Sequence, residues 1–293
     1  MKKLLFVLVL SVLFFGCQSA PTDTEPVQEE SPAAEVQPQP APQPAPPPAK
    51  QAEPVPVVDA AAHFNQGNAC YDSGDFNQAI NEYTEALKMD PGMAEAYINR
   101  GNAHSGKLEF DEALNDYNAG AKINSDYENY ARGYSLFLAQ DYKSAVSEFS
   151  QAISRKTNLF AAYNDRGLCY ANLGNQDLAI ADFSEAIKIN PNSAFPYNNR
   201  GNAYLVKANY SKAIDDYNSA IELYPGMVYP YSGRGLANYR AKDYDNAIAD
   251  YTRAILLTPK DSSLYTLRGN AYSAKGDRDL ADADYATAAK LDN

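Results

Sequence analysis

Side chains that commonly carry chemistry are sparse in this sequence and stand apart from one another. The 293 residues include two histidines, His63 and His104, and three cysteines, Cys17, Cys70 and Cys169. Their spacing matches no Cys/His metal site, and the sequence contains no phosphate-binding loop and no nucleophile elbow. We therefore predict no catalytic residue, no metal site and no cofactor, and we expect both histidines to have packing roles.

One charged pattern recurs along most of the chain. An arginine is followed sixteen residues later by an acidic residue, and the pattern occurs six times. The arginines are Arg100, Arg132, Arg166, Arg200, Arg234 and Arg268, and the acids are Asp116, Glu148, Asp182, Asp216, Asp250 and Asp284. Gln66 and Glu82 hold the equivalent places once more, near the start of the series. We predict a ladder of structural pairs between neighbouring helices, with Gln66 and Glu82 forming a hydrogen-bonded pair.

The elements that must position these residues follow from a 34-residue repeat, seen most clearly in residues 160–193. A fixed period in this range is the signature of a stacked-repeat architecture. Within the unit, position 8 is always glycine, position 20 is always alanine and position 24 is always aromatic. Small residues let two helices approach closely, and the facing ring fills the space beside them. The seven copies are residues 60–93, 94–125, 126–159, 160–193, 194–227, 228–261 and 262–293.

This unit resembles the tetratricopeptide repeat (TPR), a helix–turn–helix motif. The resemblance implies an all-α fold: a right-handed superhelical α-solenoid of seven helix pairs. The second copy has only 32 residues, which predicts a local change in the pitch of the superhelix before the third copy. Cys70 and Cys169 lie three copies apart, too far for a disulfide, which needs Cα atoms within about 7 Å.

The resemblance also implies where a ligand would bind, because TPR proteins use the concave face formed by their first helices. At position 9 of the unit, four copies have asparagine; in family members that grip extended peptides, this residue bonds the peptide backbone. A plain polar helix face explains the same residues equally well. The third copy adds aromatic residues that exceed the packing positions, and such clusters often anchor partners. The predicted binding residues are Asn68, Asn102, Tyr127, Tyr130, Tyr134, Phe137, Phe195, Asn202, Tyr229, Tyr239 and Asn270.

The N-terminus predicts a membrane anchor. Residues 1–3 are basic at two positions, residues 4–15 are mostly apolar, and Gly16 and Cys17 follow. The segment resembles a bacterial lipoprotein signal, which implies that residues 1–16 are removed and that Cys17 is acylated. An ordinary signal cleaved nearby and an uncleaved anchor are the alternatives. Residues 17–59 are rich in Pro, Gln and Ala and predict a disordered linker that acts as a stalk, or else a ligand for a proline-binding module.

Charge and architecture together give the functional prediction. The net charge of −12 argues against a nucleic-acid binder, which normally carries a basic surface. We predict a non-enzymatic lipoprotein of the bacterial cell envelope whose repeats, residues 60–293, bind a protein or an extended peptide outside the cytoplasm. Gln18 after the lipidated cysteine favours the outer membrane. The alternative is a receptor whose groove holds a glycan, a cell-wall fragment or a lipid. No oligomeric state is predicted.

Overall fold

The computed structural model describes residues 59–156 and 159–292. These residues form fourteen α-helices and one 3₁₀ turn and contain no β-strand, so the predicted all-α solenoid class is confirmed. The predicted signal, Cys17 and nearly all of the predicted linker lie outside the described residues. The helices are α1 (Ala60–Asp72), α2 (Phe76–Met89), α3 (Ala94–Gly106), α4 (Phe110–Ile123), α5 (Glu128–Leu138), α6 (Tyr142–Ser154), α7 (Leu159–Asn172), α8 (Gln176–Ile189), α9 (Ala194–Val206), α10 (Tyr210–Leu223), α11 (Val228–Arg240), α12 (Tyr244–Leu257), α13 (Ser262–Lys275) and α14 (Arg278–Leu291).

Local sequence explains where these helices begin and turn. Asp59, Asp75 and Asp141 each accept a hydrogen bond from a backbone N–H in the first turn of the helix that follows. Such caps satisfy donors that have no partner inside the helix. Between the two helices of a repeat, the backbone takes a left-handed conformation. Gly74 and Gly174 provide it without cost, whereas in other repeats it is taken by non-glycine residues such as Ala208.

The small residues that recur in every copy of the repeat allow its two helices to pack closely. A Cβ atom on Gly167 would lie 2.7 Å from Cε1 of Phe183, and one on Gly133 would lie 2.8 Å from the ring of Phe149. Real carbon atoms do not approach so closely, so the aromatic ring occupies the space that the glycine leaves empty. The buried rings of Phe149 and Phe183 are fully removed from solvent. Glycine at position 8 is therefore a packing requirement.

The repeats stack with a consistent curvature. The first helices of successive repeats, such as α1 and α3 or α9 and α11, contact one another directly, and each second helix packs against the first helix of the next repeat. The first helices therefore line the inner side of the curve, as expected for a TPR solenoid, and their exposed side chains form an inner face.

The curvature brings the first repeat back against the fifth. The rings of Phe76 and Phe195 have centroids 5.6 Å apart, and those of Phe76 and Tyr224 lie 6.1 Å apart at right angles. Asn190 donates a hydrogen bond of 2.9 Å to Asp72 beside them. We call these five residues the closure contact. It joins positions more than a hundred residues apart and reaches across the inner side of the curve.

Candidate functional site

The four predicted asparagines have a structural partner that the sequence did not reveal. In each case the hydroxyl of the tyrosine at position 24 of the same repeat donates to the asparagine Oδ1. The pairs are Tyr83–Asn68 at 2.8 Å, Tyr117–Asn102 at 3.0 Å, Tyr217–Asn202 at 2.7 Å and Tyr285–Asn270 at 3.0 Å. The bond fixes the orientation of the amide and satisfies a tyrosine hydroxyl that is mostly buried. For these four side chains the described residues offer no acceptor to Nδ2, so that group remains available to a ligand.

The aromatic side chains of the third repeat are not the exposed anchors that the sequence indicated. Tyr130 and Tyr134 are 1% and 2% exposed, and Tyr127 is also buried. Tyr117 from the second repeat packs edge-on against Tyr130 and Tyr134, with centroid separations of 4.9 and 4.7 Å. The prediction of their exposure is wrong because neighbouring repeats close over them: these rings form part of the core between the second and fourth repeats.

The remaining predicted aromatics keep part of their surface exposed. Phe137 contacts Tyr134 and Tyr142, and Tyr239 packs against Tyr244. Tyr229 of the sixth repeat and Phe195 both pack against a small buried cluster in the fifth repeat. Phe195 also belongs to the closure contact. Phe137 and Tyr239 pack against other residues, so the four side chains do not form one continuous aromatic surface on the described inner face.

The predicted arginine–acid pairs form in five repeats, and each of these arginines makes one further hydrogen bond. Arg166 donates through Nε and Nη2 to both oxygens of Asp182 at 2.7 Å, and Asp182 is buried. Its Nη1 also donates to the hydroxyl of Ser150 in the preceding repeat, at 3.0 Å. Each such arginine therefore links the two helices of its own repeat to the repeat before it. The arginines that repeat the arrangement are Arg100, Arg200, Arg234 and Arg268.

Two copies depart from the ladder. Arg132 is half exposed, reaches Glu148 through a single 3.3 Å bond, and turns its Nη1 to Glu128 of its own helix. In the first repeat, Glu82 accepts from His63 at 2.7 Å and from Gln78, while Gln66 points to the sulfur of Cys70. The predicted Gln66–Glu82 pair is therefore wrong, because the Glu82 carboxylate is bonded to His63 and Gln78 instead.

The two histidines pair with carboxylates, and the two described cysteines are buried. His63 pairs with Glu82, and His104 pairs with Glu109 at 2.7 Å. Cys70 and Cys169 are buried and unpaired, as predicted, and burial raises the pKa of the Cys169 thiol above its ordinary value. No group of three or more His, Cys, Asp or Glu side chains in the described part of the chain is arranged to hold a metal ion.

A polar network that the sequence analysis missed lies along the first helices of the third, fourth and fifth repeats. Asp165 accepts from the hydroxyl of Tyr130 at 2.7 Å and from Nδ2 of Asn164 at 3.1 Å. Asn199 donates to Asn164 at 3.0 Å, and Asn198 donates weakly to Asn199 at 3.4 Å. Asn198 is 5% exposed, and its Oδ1 has no hydrogen-bond partner.

Asp165 is the electrostatic centre of this network. Burial raises the pKa of its carboxyl group to about 6, although the hydrogen bonds from Tyr130 and Asn164 act in the opposite direction. A sequence signal was available: position 6 of the unit is Asn, Ala, Gly or Leu in the other copies, and only the fourth has a carboxylate there. The signal was hidden because acidic residues are plentiful throughout the repeats.

Family models identify the repeat directly. Models of the tetratricopeptide repeat match residues 160–193, 194–227, 228–261 and 262–293, and a model described as a TPR repeat matches residues 67–107. These matches together cover more than half of the chain. The chain belongs to the tetratricopeptide repeat family. Solenoids of this kind present extended concave surfaces for binding proteins and peptides. None of the TPR helices described here combines the length and the hydropathy needed to cross a membrane.

Solved structures share this TPR fold at low sequence identity. A crystal structure of MamA is 24% identical, has a TM-score of 0.52, and covers 55% of this chain and 94% of its own. MamA from Desulfovibrio magneticus RS-1 is 18% identical with a TM-score of 0.54, covering 58% and 96%. A chain from the Cut9–Hcn1 hetero-tetramer of the APC/C is 17% identical with a TM-score of 0.61, covering 79% of this chain but 46% of its own. A search of curated proteins found no match.

Proposed function

We propose that this TPR protein is a lipid-anchored scaffold of the bacterial cell envelope that holds a partner protein, or an extended segment of one, along its inner face. The row of oriented asparagines carries the proposal. Because each Oδ1 is occupied by a tyrosine hydroxyl, each Nδ2 is left as a donor for a peptide carbonyl. Asn68 and Asn102 lie in adjacent repeats, which suits a ligand that follows the stack.

Binding in this proposal requires positioning and no covalent chemistry. The described inner face provides amide donors and partly exposed rings such as Tyr229 and Tyr239, which are suitable for an extended chain. A glycan or lipid receptor would rely on a broad aromatic surface. That alternative loses its main support because Tyr127, Tyr130 and Tyr134 are buried.

The scaffold is tested by crosslinking in intact cells, followed by mass spectrometry. The informative variant carries Asn102→Leu with Tyr117→Phe and Asn202→Leu with Tyr217→Phe. It copies the Leu168 and Phe183 pair that the fourth repeat already uses, so the fold is preserved while two donors are removed. We expect the crosslinked partner to be lost or strongly reduced. Undiminished crosslinking by a folded variant would show that these asparagines do not hold the partner.

The anchor has its own test. We expect the wild-type chain to incorporate a clickable fatty acid and to fractionate with membranes, whereas Cys17→Ser should incorporate none and should leave the membrane fraction. Unchanged membrane association of Cys17→Ser, without fatty acid in either protein, would favour an uncleaved N-terminal anchor. With either kind of anchor, we propose that the linker of residues 17–59 is a stalk between the membrane and the repeats.

A further inference from the structure

Asp165, which is partly exposed, differs from the carboxylates that are fully buried in this solenoid. Asp116, Asp182, Asp216, Asp250 and Asp284 each accept hydrogen bonds from both Nε and Nη2 of an arginine guanidinium. Asp165 has only neutral donors, Tyr130 and Asn164, and no Lys, Arg or His of the described residues forms an ion pair with it. Removing a carboxylate from water without a nearby cation costs free energy. An arginine offsets this cost at the five buried aspartates, and no cation of the described residues does so at Asp165.

The surroundings of Asp165 are those of a cation site. The ionisable groups coupled to it across the inner side of the curve are Tyr71 from the first repeat, Tyr117 from the second, Tyr130 and Tyr134 from the third, and Cys169 on its own helix. All are neutral at ordinary pH, and burial is the main reason that their pKa values are raised. Tyr71 is the one of these four tyrosines that keeps part of its surface exposed, and a tyrosine ring attracts guanidinium and ammonium groups. The protein itself uses this contact, since Arg166 lies 5.5 Å from the ring centroid of Tyr163.

A second atom of the same network also lacks a partner. Asn198 Oδ1 is an acceptor on a side chain that is 5% exposed, and it is connected to Asp165 through Asn199 and Asn164. A buried acceptor without a donor is uncommon, so this network is incompletely satisfied by the described residues. Asp165 keeps part of its surface exposed, which leaves a route for a ligand to reach it. Asp165 is therefore the member of this network that a ligand can reach, and what it lacks is a positively charged partner.

We propose that the inner face of the third to fifth repeats binds an extended peptide segment through an arginine or lysine side chain, which pairs with Asp165. This inference rests on the proposed scaffold function and specifies the chemistry of its partner. The bound cation supplies at Asp165 the charge that an arginine supplies at the five fully buried aspartates.

The binding test uses the full-length protein and two peptide pools. Both pools contain acetylated, amidated peptides of about 12 residues; one has arginine at the centre and the other has citrulline, which has nearly the same shape without charge. At about pH 7.5 we expect wild-type protein to retain the arginine pool at least about tenfold better. Asp165→Asn should lose that preference, and Glu222→Gln, which removes an exposed acid elsewhere, should keep it. Retention should also fall as the pH is lowered through about 6, where Asp165 becomes protonated.

The possible outcomes separate this inference from the proposed function. Equal retention of both pools by wild type, or an arginine preference that survives in Asp165→Asn, overturns the cation site but leaves a peptide-binding scaffold. Retention of neither pool also overturns the inference, while loss of crosslinked partner in the asparagine variants would still support the scaffold. A cation site confirmed with no crosslinked partner in cells would overturn the scaffold role alone.

A measurement without ligand examines the same site. Because the folded-state pKa of Asp165 is raised, protonation favours the folded chain, and the destabilisation caused by this charge is present above about pH 6 and disappears as the pH falls towards 4. We therefore expect Asp165→Asn to raise the thermal unfolding midpoint at about pH 7.5, with the difference from wild type vanishing near pH 4. A variant that is less stable than wild type at pH 7.5 would show that Tyr130 and Asn164 satisfy the carboxylate, and the proposal would fail.

Discussion

At the scale of residues, an aspartate serves a different purpose according to whether an arginine lies beside it. An acid that faces an arginine at position 7 belongs to the framework, as Asp182 does with Arg166 and Ser150. The acid at Asp165 has no such neighbour among the described residues. Because the framework pairs recur with the repeat, they can be separated from the single carboxylate that departs from it.

The framework pairs give the first prediction at this scale. Asp182→Asn leaves the largely enclosed Arg166 without its counter-charge, so we expect the free energy of unfolding to fall by about 3 kcal/mol. Glu148→Gln is the matched control, because its partner Arg132 is 53% exposed and the expected loss is below about 1 kcal/mol. Denaturant unfolding of both variants measures the difference. Similar losses at the two sites would contradict a role for enclosure.

The asparagine–tyrosine pairs give the second prediction at this scale. Asn202→Leu deprives the buried Tyr217 hydroxyl of its acceptor, and we expect a loss of about 1–3 kcal/mol. Adding Tyr217→Phe removes the stranded hydroxyl and recreates the Leu168–Phe183 combination of the fourth repeat, so stability should largely return. A double-mutant cycle in urea measures the coupling. Simple additivity of the two changes would show that the hydrogen bond contributes nothing.

These residues also show what sequence comparison within one chain can reach. The arginine–acid pairing was predictable, because two columns of the repeat carry opposite charges at a fixed separation. The asparagine–tyrosine pairing was visible in principle: every copy with Asn at position 9 has Tyr at position 24, and the copies with Phe149 and Phe183 have other residues there. The state of Asp165 was not predictable, because its burial depends on how several repeats curve around it.

At the scale of elements, the junction between the second and third repeats departs from the regular stack. A 3₁₀ turn over Ser125–Tyr127 precedes α5, which has 11 residues where the other helices have 13 or 14. The arginine of this repeat, Arg132, makes no bond to the preceding repeat. The aromatic cluster of Tyr117, Tyr130 and Tyr134 occupies the junction instead. The short repeat predicted an irregularity at this junction. That three tyrosine rings pack into the junction is seen only in the structure.

We expect this cluster to hold the junction together. Tyr134→Ala removes a ring that is 2% exposed and should cost about 3–5 kcal/mol. Hydrogen exchange should accelerate most in α4 and α5, on the two sides of the junction. Tyr239→Ala, which truncates a partly exposed tyrosine of the sixth repeat, is the control and should leave α4 and α5 unchanged. A uniform loss of protection across all repeats would contradict a local role for the cluster.

At the scale of the whole molecule, the described repeats do more than add one neighbour at a time. A solenoid is normally stabilised by contacts within and between adjacent repeats. Here the closure contact joins the first repeat to the fifth through the rings of Phe76, Phe195 and Tyr224, and to the fourth through the Asp72–Asn190 hydrogen bond. A 34-residue pattern cannot predict such a contact, because it depends on curvature accumulated over four repeats.

The closure contact makes a prediction for the first repeat, which has only one sequential neighbour. Phe195→Ala removes the ring that meets Phe76 at 5.6 Å, so α1 and α2 lose their support from the fifth repeat. We expect faster hydrogen exchange in α1 and α2 and no change in α11–α14. Tyr239→Ala is the control, since it truncates a partly exposed ring of the sixth repeat that packs against Tyr244, away from the closure contact. If α1 and α2 keep their protection in Phe195→Ala, the first repeat is held by the second alone. If they lose it, the closure contact supports the first repeat in addition to its sequential neighbour.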